Sequence, residues 1–158
     1  MRATTLLERH HRNLQQLCEA VERGSPPVRE SLLPQLAADL LAHITVELEV
    51  FYPMLGEVLG EEAWGDEGRL QHGRAIRSLH RALASACDRP EFDRAIAELR
   101  ELVELHAQEE EDGVFARVEH ALDAGASGEL ARTMMSLYRA GVEAGYRDRA
   151  PQPRAEGR

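Results

Sequence analysis

Residues 43–55, HITVELEVFYPML, decide how the chain folds. At about 100° per residue, Leu36, Leu40, His43 and Glu47 fall on one stripe of a helix, so the histidine and the glutamate face the core. A carboxylate buried without a partner is costly. The segment therefore predicts a helix that carries polar groups into an apolar interior.

A second copy of this pattern lies farther along the chain. An offset of 63 residues superposes His43 on His106, Glu47 on Glu110 and Tyr52 on Phe115. The second pair also lies on the apolar stripe of its helix. Two carboxylates and two imidazoles that meet in one core are strongly destabilising unless a cation lies among them. The repeat therefore predicts an internal metal site.

The composition favours an all-α fold. The 158 residues suit one domain, and the chain is rich in Ala, Glu, Leu and Arg with only 4% aromatic residues. Turn-forming clusters at 23–27, 65–68, 87–91 and 123–128 separate predicted helices at 3–23, 31–59, 67–87, 91–121 and 128–146. We predict an up-down-up-down antiparallel four-helix bundle over residues 1–146, with the short fifth helix across one end. Residues 147–158 are expected to be a disordered tail.

Two prolines and one glycine carry specific expectations. Pro34 is expected in the first turn of the second helix, where its missing N–H does no harm, and Pro53 is expected to kink that helix or to end its regular part. On a regular helix Tyr52 points about 180° from His43, so we assign it no radical role. Gly113 is expected on the inward face beyond Glu110, where it leaves space for gas entry or for close helix approach.

The charge and the cysteines limit the partners and the compartment. A net charge of −9 argues against a nucleic-acid partner, because phosphate binding needs clustered Lys and Arg. Cys18 and Cys87 are far apart, which suggests no disulfide framework and fits a reducing cytoplasm. The sequence contains no apolar run suited to a signal peptide or a membrane span, so we expect a soluble protein without a membrane partner.

Metal sites in bundles draw ligands from facing helices, so the first and third helices should contribute histidines as well. His10 and His11 both lie near the apolar face of the first helix, and geometry leaves the choice open. In the third helix, His72 and His80 are about 12 Å apart along the axis, too far to serve one site. We choose His72, because its interval to His106 resembles that from His11 to His43.

Three stretches, LLERHHRNLQQL, HITVELEVFYP and HAQEEEDGVF, resemble the hemerythrin-like HHE cation-binding domain family, and the resemblance spans residues 6 to about 122. It selects His11 as the ligand and places His10 where the family usually has an acid. Leu48 replaces the family's second acid after Glu47, whereas Glu111 keeps the equivalent acid. The resemblance implies a non-haem di-iron centre in which two carboxylates bridge and four histidines are terminal ligands: Glu47, Glu110, His11, His43, His72 and His106.

Respiratory hemerythrins carry another histidine four residues after the one in the third helix, where this chain has Ile76. The resemblance therefore implies an open metal position that binds O2, peroxide or nitric oxide, with redox turnover of an oxidase or peroxidase type or sensing rather than reversible oxygen carriage. Imidazole and carboxylate ligands suit iron, and manganese or zinc is possible.

Three alternatives were weighed beside this interpretation. The first is an iron or oxygen sensor, or metal-homeostasis module, that acts through a separate protein partner. The second is a metal-free interaction bundle. The third is a ferritin-like enzyme, which fits poorly because only residues 8–11, ERHH, match its ExxH motif. We expect a monomer or weak homodimer.

Overall fold

Helices make up nearly all of the chain in the computed structural model, which describes residues 1–60, 62–85 and 88–146. The helices are α1 (Ala3–Arg23), α2 (Pro26–Val46), α3 (Tyr52–Leu59), α4 (Ala63–Ala84), α5 (Arg89–Gly113), α6 (Phe115–Ala121) and α7 (Ala124–Ala144), and a π-helical turn, Glu47–Phe51, joins α2 to α3. These described residues contain no strand. The predicted all-α class is confirmed.

Four rods form the bundle. They are α1, α2 with the π turn and α3, α4, and α5 with α6. Short connections join consecutive rods, α1 packs against both α2 and α5, and α4 packs against α5. Because each short connection reverses the chain, the neighbours are antiparallel. This is the predicted up-down-up-down arrangement.

The second rod begins earlier than predicted. It starts at Pro26 rather than at residue 31, with Ser25 at the N-cap position. Pro26 lies in the first turn, where a missing N–H costs nothing. Pro34 consequently lies inside α2 and not in its first turn. The expectation for Pro34 was therefore wrong, because the pair Pro26 and Pro27 starts the helix and does not belong to the preceding loop.

The predicted effect of Pro53 is confirmed. Regular α-helix stops at Val46, and the N–H of Tyr52 bonds the carbonyl of Glu47, five residues back, as in a π-helix. Pro53 has no N–H to offer the carbonyl of Glu49, and its ring crowds that carbonyl. A widened turn just before a proline accommodates both effects.

Residues 65–68, GDEG, were expected to break the chain but belong to the first turns of α4. Gly65 and Gly68 are both buried against Tyr52. A Cβ atom at Gly68 would lie 2.5 Å from three atoms of the Tyr52 side chain. Glycine is present because the tyrosine approaches the helix closely, and the pair was mistaken for a turn signal.

The fifth long helix was placed wrongly. Helix α7 begins at Ala124, with the Asp123 carboxylate accepting from the N–H of Ala126 at 2.8 Å, and it packs along α2 and α1 rather than across one end. The reason lies in α2, which is apolar on nearly every side from Leu36 to Val46. A helix that is apolar all round needs cover on more than one face.

Two apolar clusters fill the interior, one around Leu14, Leu40 and Leu99 and the other around Leu7 and Phe51. His11 lies between Leu7 and Leu14 in α1, so it marks the layer where the two clusters meet. Within the described part of the chain, no helix has both the length and the apolar character needed to cross a bilayer. The expected tail, residues 147–158, lies outside the described residues.

Pro34→Ala should stabilise the protein by about 1–2 kcal/mol. Alanine restores a backbone N–H to the helix interior, and part of that gain is offset by the extra freedom of the unfolded chain. Urea unfolding followed by circular dichroism measures the change. Pro26→Ala is the control, because no hydrogen bond is missing there. An equal effect of both substitutions would contradict the placement of Pro34 inside α2.

Candidate metal centre

The six side chains predicted as ligands converge in one buried layer. They come from all four rods and are at most 6% exposed: His11 from α1, His43 from α2, Glu47 from the π turn, His72 from α4, and His106 and Glu110 from α5. Periodicity and the repeat placed five of these side chains correctly, and the family resemblance correctly selected His11 over His10. Their role as metal ligands stays a prediction.

Glu47 stands at the centre of the layer. Its Oε1 lies 3.1 Å from Nε2 of His43 and 3.6 Å from Nε2 of His11. Its Oε2 lies 2.9 Å from Nε2 of His72 and 3.2 Å from Nε2 of His106. One oxygen therefore faces the α1–α2 half of the site and the other oxygen faces the α4–α5 half.

Glu110 also reaches both halves. Its Oε2 lies 3.5 Å from Nε2 of His11 and 3.8 Å from Nε2 of His106. Its Oε1 accepts a hydrogen bond of 2.8 Å from the hydroxyl of Tyr52. Two carboxylates that each span the two halves have the arrangement needed to bridge two cations.

Several inward-facing atoms lack hydrogen-bond partners, which is the observation that tests the fit of a metal. Buried and unpartnered are Nε2 of His11, His43 and His72, Oε1 of Glu47 and Oε2 of Glu110. Leaving such atoms unsatisfied costs about 1–3 kcal/mol each. His11, His43, Glu47 and His106 each offer a donor atom within 4.8 Å of the others. The donor set therefore fits metal cations.

Two of the histidines are oriented from outside the layer. Nδ1 of His11 lies 2.9 Å from Oε1 of Glu111, and Nδ1 of His106 lies 2.7 Å from Oε1 of Gln71. The Gln71 amide in turn bonds Glu109 at the surface. A proton held on Nδ1 leaves the Nε2 lone pair directed inward, as metal-binding histidines require. Gln71 was missed in the sequence, although it directly precedes His72.

The structure separates the alternative histidines. His11 faces both carboxylates, whereas His10 stacks on Tyr138 with ring centroids 3.8 Å apart. Burial is the main reason that the pKa of His10 falls to about 4. His80 lies away from the layer, with its ring 6.4 Å from that of Tyr146.

Tyr52 was expected to point away from the site, and that expectation was wrong. Its hydroxyl donates to Glu110 and lies 3.2 Å from Oε2 of Glu47. The π turn is the cause. The N–H of Tyr52 bonds the carbonyl of Glu47, five residues earlier, and this wider winding places the two side chains on the same side of the helix. Burial and the two carboxylates raise the pKa of Tyr52 far above its usual range, so the phenol keeps its proton. Pro53 was the available signal that 100° per residue would fail here.

The two halves of the repeat have similar ring contacts but different polarity. Tyr52 lies nearly parallel to His72, with centroids 5.9 Å apart, and Phe115 lies nearly parallel to His11, with centroids 6.0 Å apart. Phe115 has no hydroxyl. A hydrogen-bond donor to Glu47 and Glu110 is therefore present at Tyr52 and absent at its repeat equivalent.

Gly113 does not line a path into the core. It is exposed at the end of α5, where a Cβ atom would lie 2.7 Å from Cη2 of Trp64. The expectation of close approach is confirmed, but the neighbour is the Trp64 side chain of α4, and the expectation of a gas path was wrong. Gly113 is the last residue of α5, so it lies at the exposed end of the helix although its spacing from Glu110 would place it on the inward stripe of a longer one.

Protons compete with any cation at this centre. Burial alone would lower the pKa of His11, but contacts with Glu110 and Glu47 outweigh it and raise that pKa to about 10. Burial would likewise raise the pKa of Glu47, yet the surrounding imidazoles, His43 and His106 foremost, lower it well below its usual range. A cation that binds through Nε2 of His11 would therefore displace a proton from it.

A small cavity lies beside the histidines on the side of the Leu14 cluster. Its volume is about 10 Å³, and apolar residues complete its wall: Leu14, Leu40, Ala75, Leu102 and Val103. This volume holds about one water-sized molecule. The cavity therefore limits a ligand at the centre to a few atoms.

Comparison with known proteins agrees with this geometry. The family model of the hemerythrin HHE cation-binding domain matches residues 2–118. A protein named DNA nickase from Nostoc sp. (strain PCC 7120 / SAG 25.82 / UTEX 2576) is 29% identical over 106 residues, which cover 66% of this chain and 29% of that protein. The chain thus spans less than a third of that relative. No solved structure matches the chain.

Gly68→Ala should displace the Tyr52 ring from both carboxylates, because the new methyl group would overlap it. A buried, hydrogen-bonded phenol proton exchanges slowly and is visible by NMR. This resonance should be present in the natural protein and absent in Gly68→Ala and in Tyr52→Phe. Gly73→Ala is the matched control on the same helix, since a Cβ atom there meets only Arg77 at 3.5 Å. Persistence of the resonance in Gly68→Ala would contradict the packing described.

Proposed function

Because the chain belongs to the hemerythrin HHE cation-binding family, we propose that it binds two iron ions between Glu47 and Glu110 and that this centre binds or reacts with O2, peroxide or nitric oxide. The observation that carries the proposal is the set of inward donor atoms without partners, drawn from all four rods. A cation pair is the group that satisfies all of them together.

The distances divide the ligands between the two ions. His11 and His43 lie on the side of Oε1 of Glu47, and His72 and His106 lie on the side of Oε2. Two divalent cations bring four positive charges, and the two carboxylates neutralise half of them. Nitrogen and oxygen donors suit iron or manganese, and zinc is not excluded by ligand type. When bound, an iron pair would supply the electrons for reducing O2 or peroxide.

The surroundings favour a small ligand over a larger substrate. The cavity beside the histidines has room for about one water-sized molecule and its other walls are apolar. Respiratory hemerythrins, which this chain resembles, carry a further histidine at the position of Ile76. In this chain Ile76 is partly buried against the core. With four histidines, at least one ion keeps a coordination position for an exogenous ligand.

Tyr52 gives the proposed centre a proton on one side. It holds this proton at the hydroxyl, 2.8 Å from Oε1 of Glu110, and Phe115 holds none at the equivalent position. Reduction of O2 or peroxide consumes protons, so a protonated phenol in a buried site favours redox turnover over simple carriage. Burial and the two carboxylates raise the pKa of Tyr52 in the metal-free chain, and cations bound between the carboxylates would offset the carboxylates' part of that rise. We therefore assign proton supply at the metal-loaded centre to Tyr52.

The second candidate is a sensor in which metal occupancy is read by a separate protein. A metal that binds the folded chain and not the unfolded chain would raise the stability of the fold, since the unpartnered atoms of the centre would be satisfied. The same centre serves either function, and the distinction is whether the bound ligand turns over.

We propose no nucleic-acid partner for this chain. The relative named DNA nickase is matched over only 29% of its length. A net charge of −9 opposes binding to a phosphate backbone. We further propose a cytoplasmic monomer or weak homodimer; Cys18, buried and free, fits a reducing compartment.

Anaerobic titration of metal-free protein with Fe(II) should show two ions bound per chain. Glu47→Gln should reduce this to one ion or none, because its carboxylate faces all four histidines. His80→Gln is the control, since His80 lies away from the centre and should leave both ions bound. Atomic absorption of the desalted protein measures the ratio. A natural protein that binds no iron would defeat the proposed function.

Stopped-flow mixing of the Fe(II)-loaded protein with O2, peroxide and nitric oxide separates the two candidates. Turnover of peroxide or O2, slowed at least about tenfold in Tyr52→Phe, is the result expected of a redox enzyme that uses the phenol proton. A stable adduct without turnover would favour the sensor. Turnover that is unchanged in Tyr52→Phe would remove the role assigned to Tyr52.

A further inference from the structure

The four histidines differ in what orients them. His11 and His106 each have an Nδ1 partner, Glu111 and Gln71, whereas Nδ1 of His43 and Nδ1 of His72 are buried without hydrogen-bond partners. A metal-bound histidine almost always donates its other N–H to a partner. The two unpartnered nitrogens therefore require an explanation.

The repeat explains His72. The residue 63 positions before Glu111 is Leu48, so the carboxylate that orients His11 has no counterpart for His72. The Leu48 side chain has no acceptor for a proton on Nδ1 of His72.

For His43, by contrast, the repeat identifies a residue that could orient the ring. Gln71, the partner of His106, is the residue directly before His72, and the residue directly before His11 is His10. His10 thus occupies the position from which His43 should be oriented. Unlike leucine, a neutral imidazole can accept a hydrogen bond.

His10 is placed for this role. Its ring centroid lies 6.0 Å from that of His43, the two rings are nearly perpendicular, and His10 is only 6% exposed. Nδ1 of His10 is buried and has no hydrogen-bond partner, like Nδ1 of His43. Two neighbouring rings therefore each carry an unsatisfied nitrogen, and a hydrogen bond between them would satisfy both.

Helix α7 holds His10 from the outside. Tyr138 stacks on His10 with centroids 3.8 Å apart and planes 18° apart, and its hydroxyl donates to Oδ1 of Asp39 at 2.8 Å. Asp39 precedes His43 by one turn of α2, and its Oδ2 accepts from Asn13 of α1 at 3.3 Å. Tyr138 therefore fixes both helices beside the centre, from a part of the chain beyond residues 2–118 that match the family.

We propose that His10 is the positioning residue of His43, accepting its Nδ1 proton, and that Tyr138 of α7 holds His10 in place. The inference rests on the proposed function, because it treats His43 as a metal ligand. It makes α7 part of the support of the centre. The ion bound by His43 then depends on α7, whereas the ion bound by His106 depends on Gln71.

The test uses the full chain with four variants and two readouts. Nitrogen-15 NMR of metal-free protein reports which ring nitrogen of His43 carries the proton, and Co(II) titration reports the dissociation constants of the two ions. His10→Leu should shift His43 away from its Nδ1–H tautomer and weaken one ion about 10- to 100-fold, leaving the other unchanged. His10→Gln, which copies Gln71, should preserve both readouts. Tyr138→Leu should act in the same direction as His10→Leu.

Met134→Ala is the matched control on the same helix. Met134 is fully buried in the apolar cluster around Leu7 and Phe51, against which Tyr138 also packs, so the substitution should lower stability. Its side chain has no ring to stack on His10 and no N–H or O–H to donate to Asp39, so neither the His43 tautomer nor either dissociation constant should change. Natural-like readouts in both His10→Leu and Tyr138→Leu would overturn the proposal, as would equal effects in Met134→Ala. If the natural protein binds no metal pair, the proposed function fails, but the tautomer of metal-free His43 still decides this inference.

Discussion

Burial of two carboxylates at one level of a helical bundle is the constraint on which the rest of this structure depends. Glu47 and Glu110 are at most 2% exposed, and ionised groups in such a place are stable only when positive charge surrounds them. In the metal-free chain His11 can supply that charge as an imidazolium, since its pKa is raised to about 10. The inward Nε2 atoms of His43 and His72 stay without hydrogen-bond partners, which is an arrangement suited to cations and unsuited to a purely structural core.

The π turn, Pro53, Tyr52 and Gly68 act as one local arrangement. Pro53 disfavours a regular helix at the preceding turn, the widened turn rotates Tyr52 onto the two buried carboxylates, and Gly68 leaves space for its ring. A π-helical turn and a mid-helix glycine each weaken a helix, the glycine by about 1 kcal/mol relative to alanine. Both costs fall where the hydroxyl reaches the centre, so they are better explained by the site than by the bundle.

Periodicity and the internal repeat were sufficient to predict the bundle and five of the six converging side chains, whereas the choice of His11 over His10 needed the family resemblance. They succeeded because a histidine and a glutamate four residues apart remain on one face of any regular helix. They failed where winding or context changes: Tyr52 follows a π turn, and the glycines of residues 65–68 serve close packing instead of a turn. The path of α7 could have been anticipated from the nearly uniform apolar sequence of α2, which needs more cover than three other rods provide.

The repeat also shows how two similar halves become unequal. Each half contributes two histidines and one glutamate, yet Glu111 faces His11 while Leu48 leaves His72 without an orienting partner. The Tyr52 hydroxyl lies at Oε2 of Glu47, on the side of His72, and the other half has the ring of Phe115. Two chemically identical ions bound here would therefore experience different ligand orientation and different hydrogen bonding. The inequality arises from residues beside the ligands, because the ligands themselves are the same in both halves.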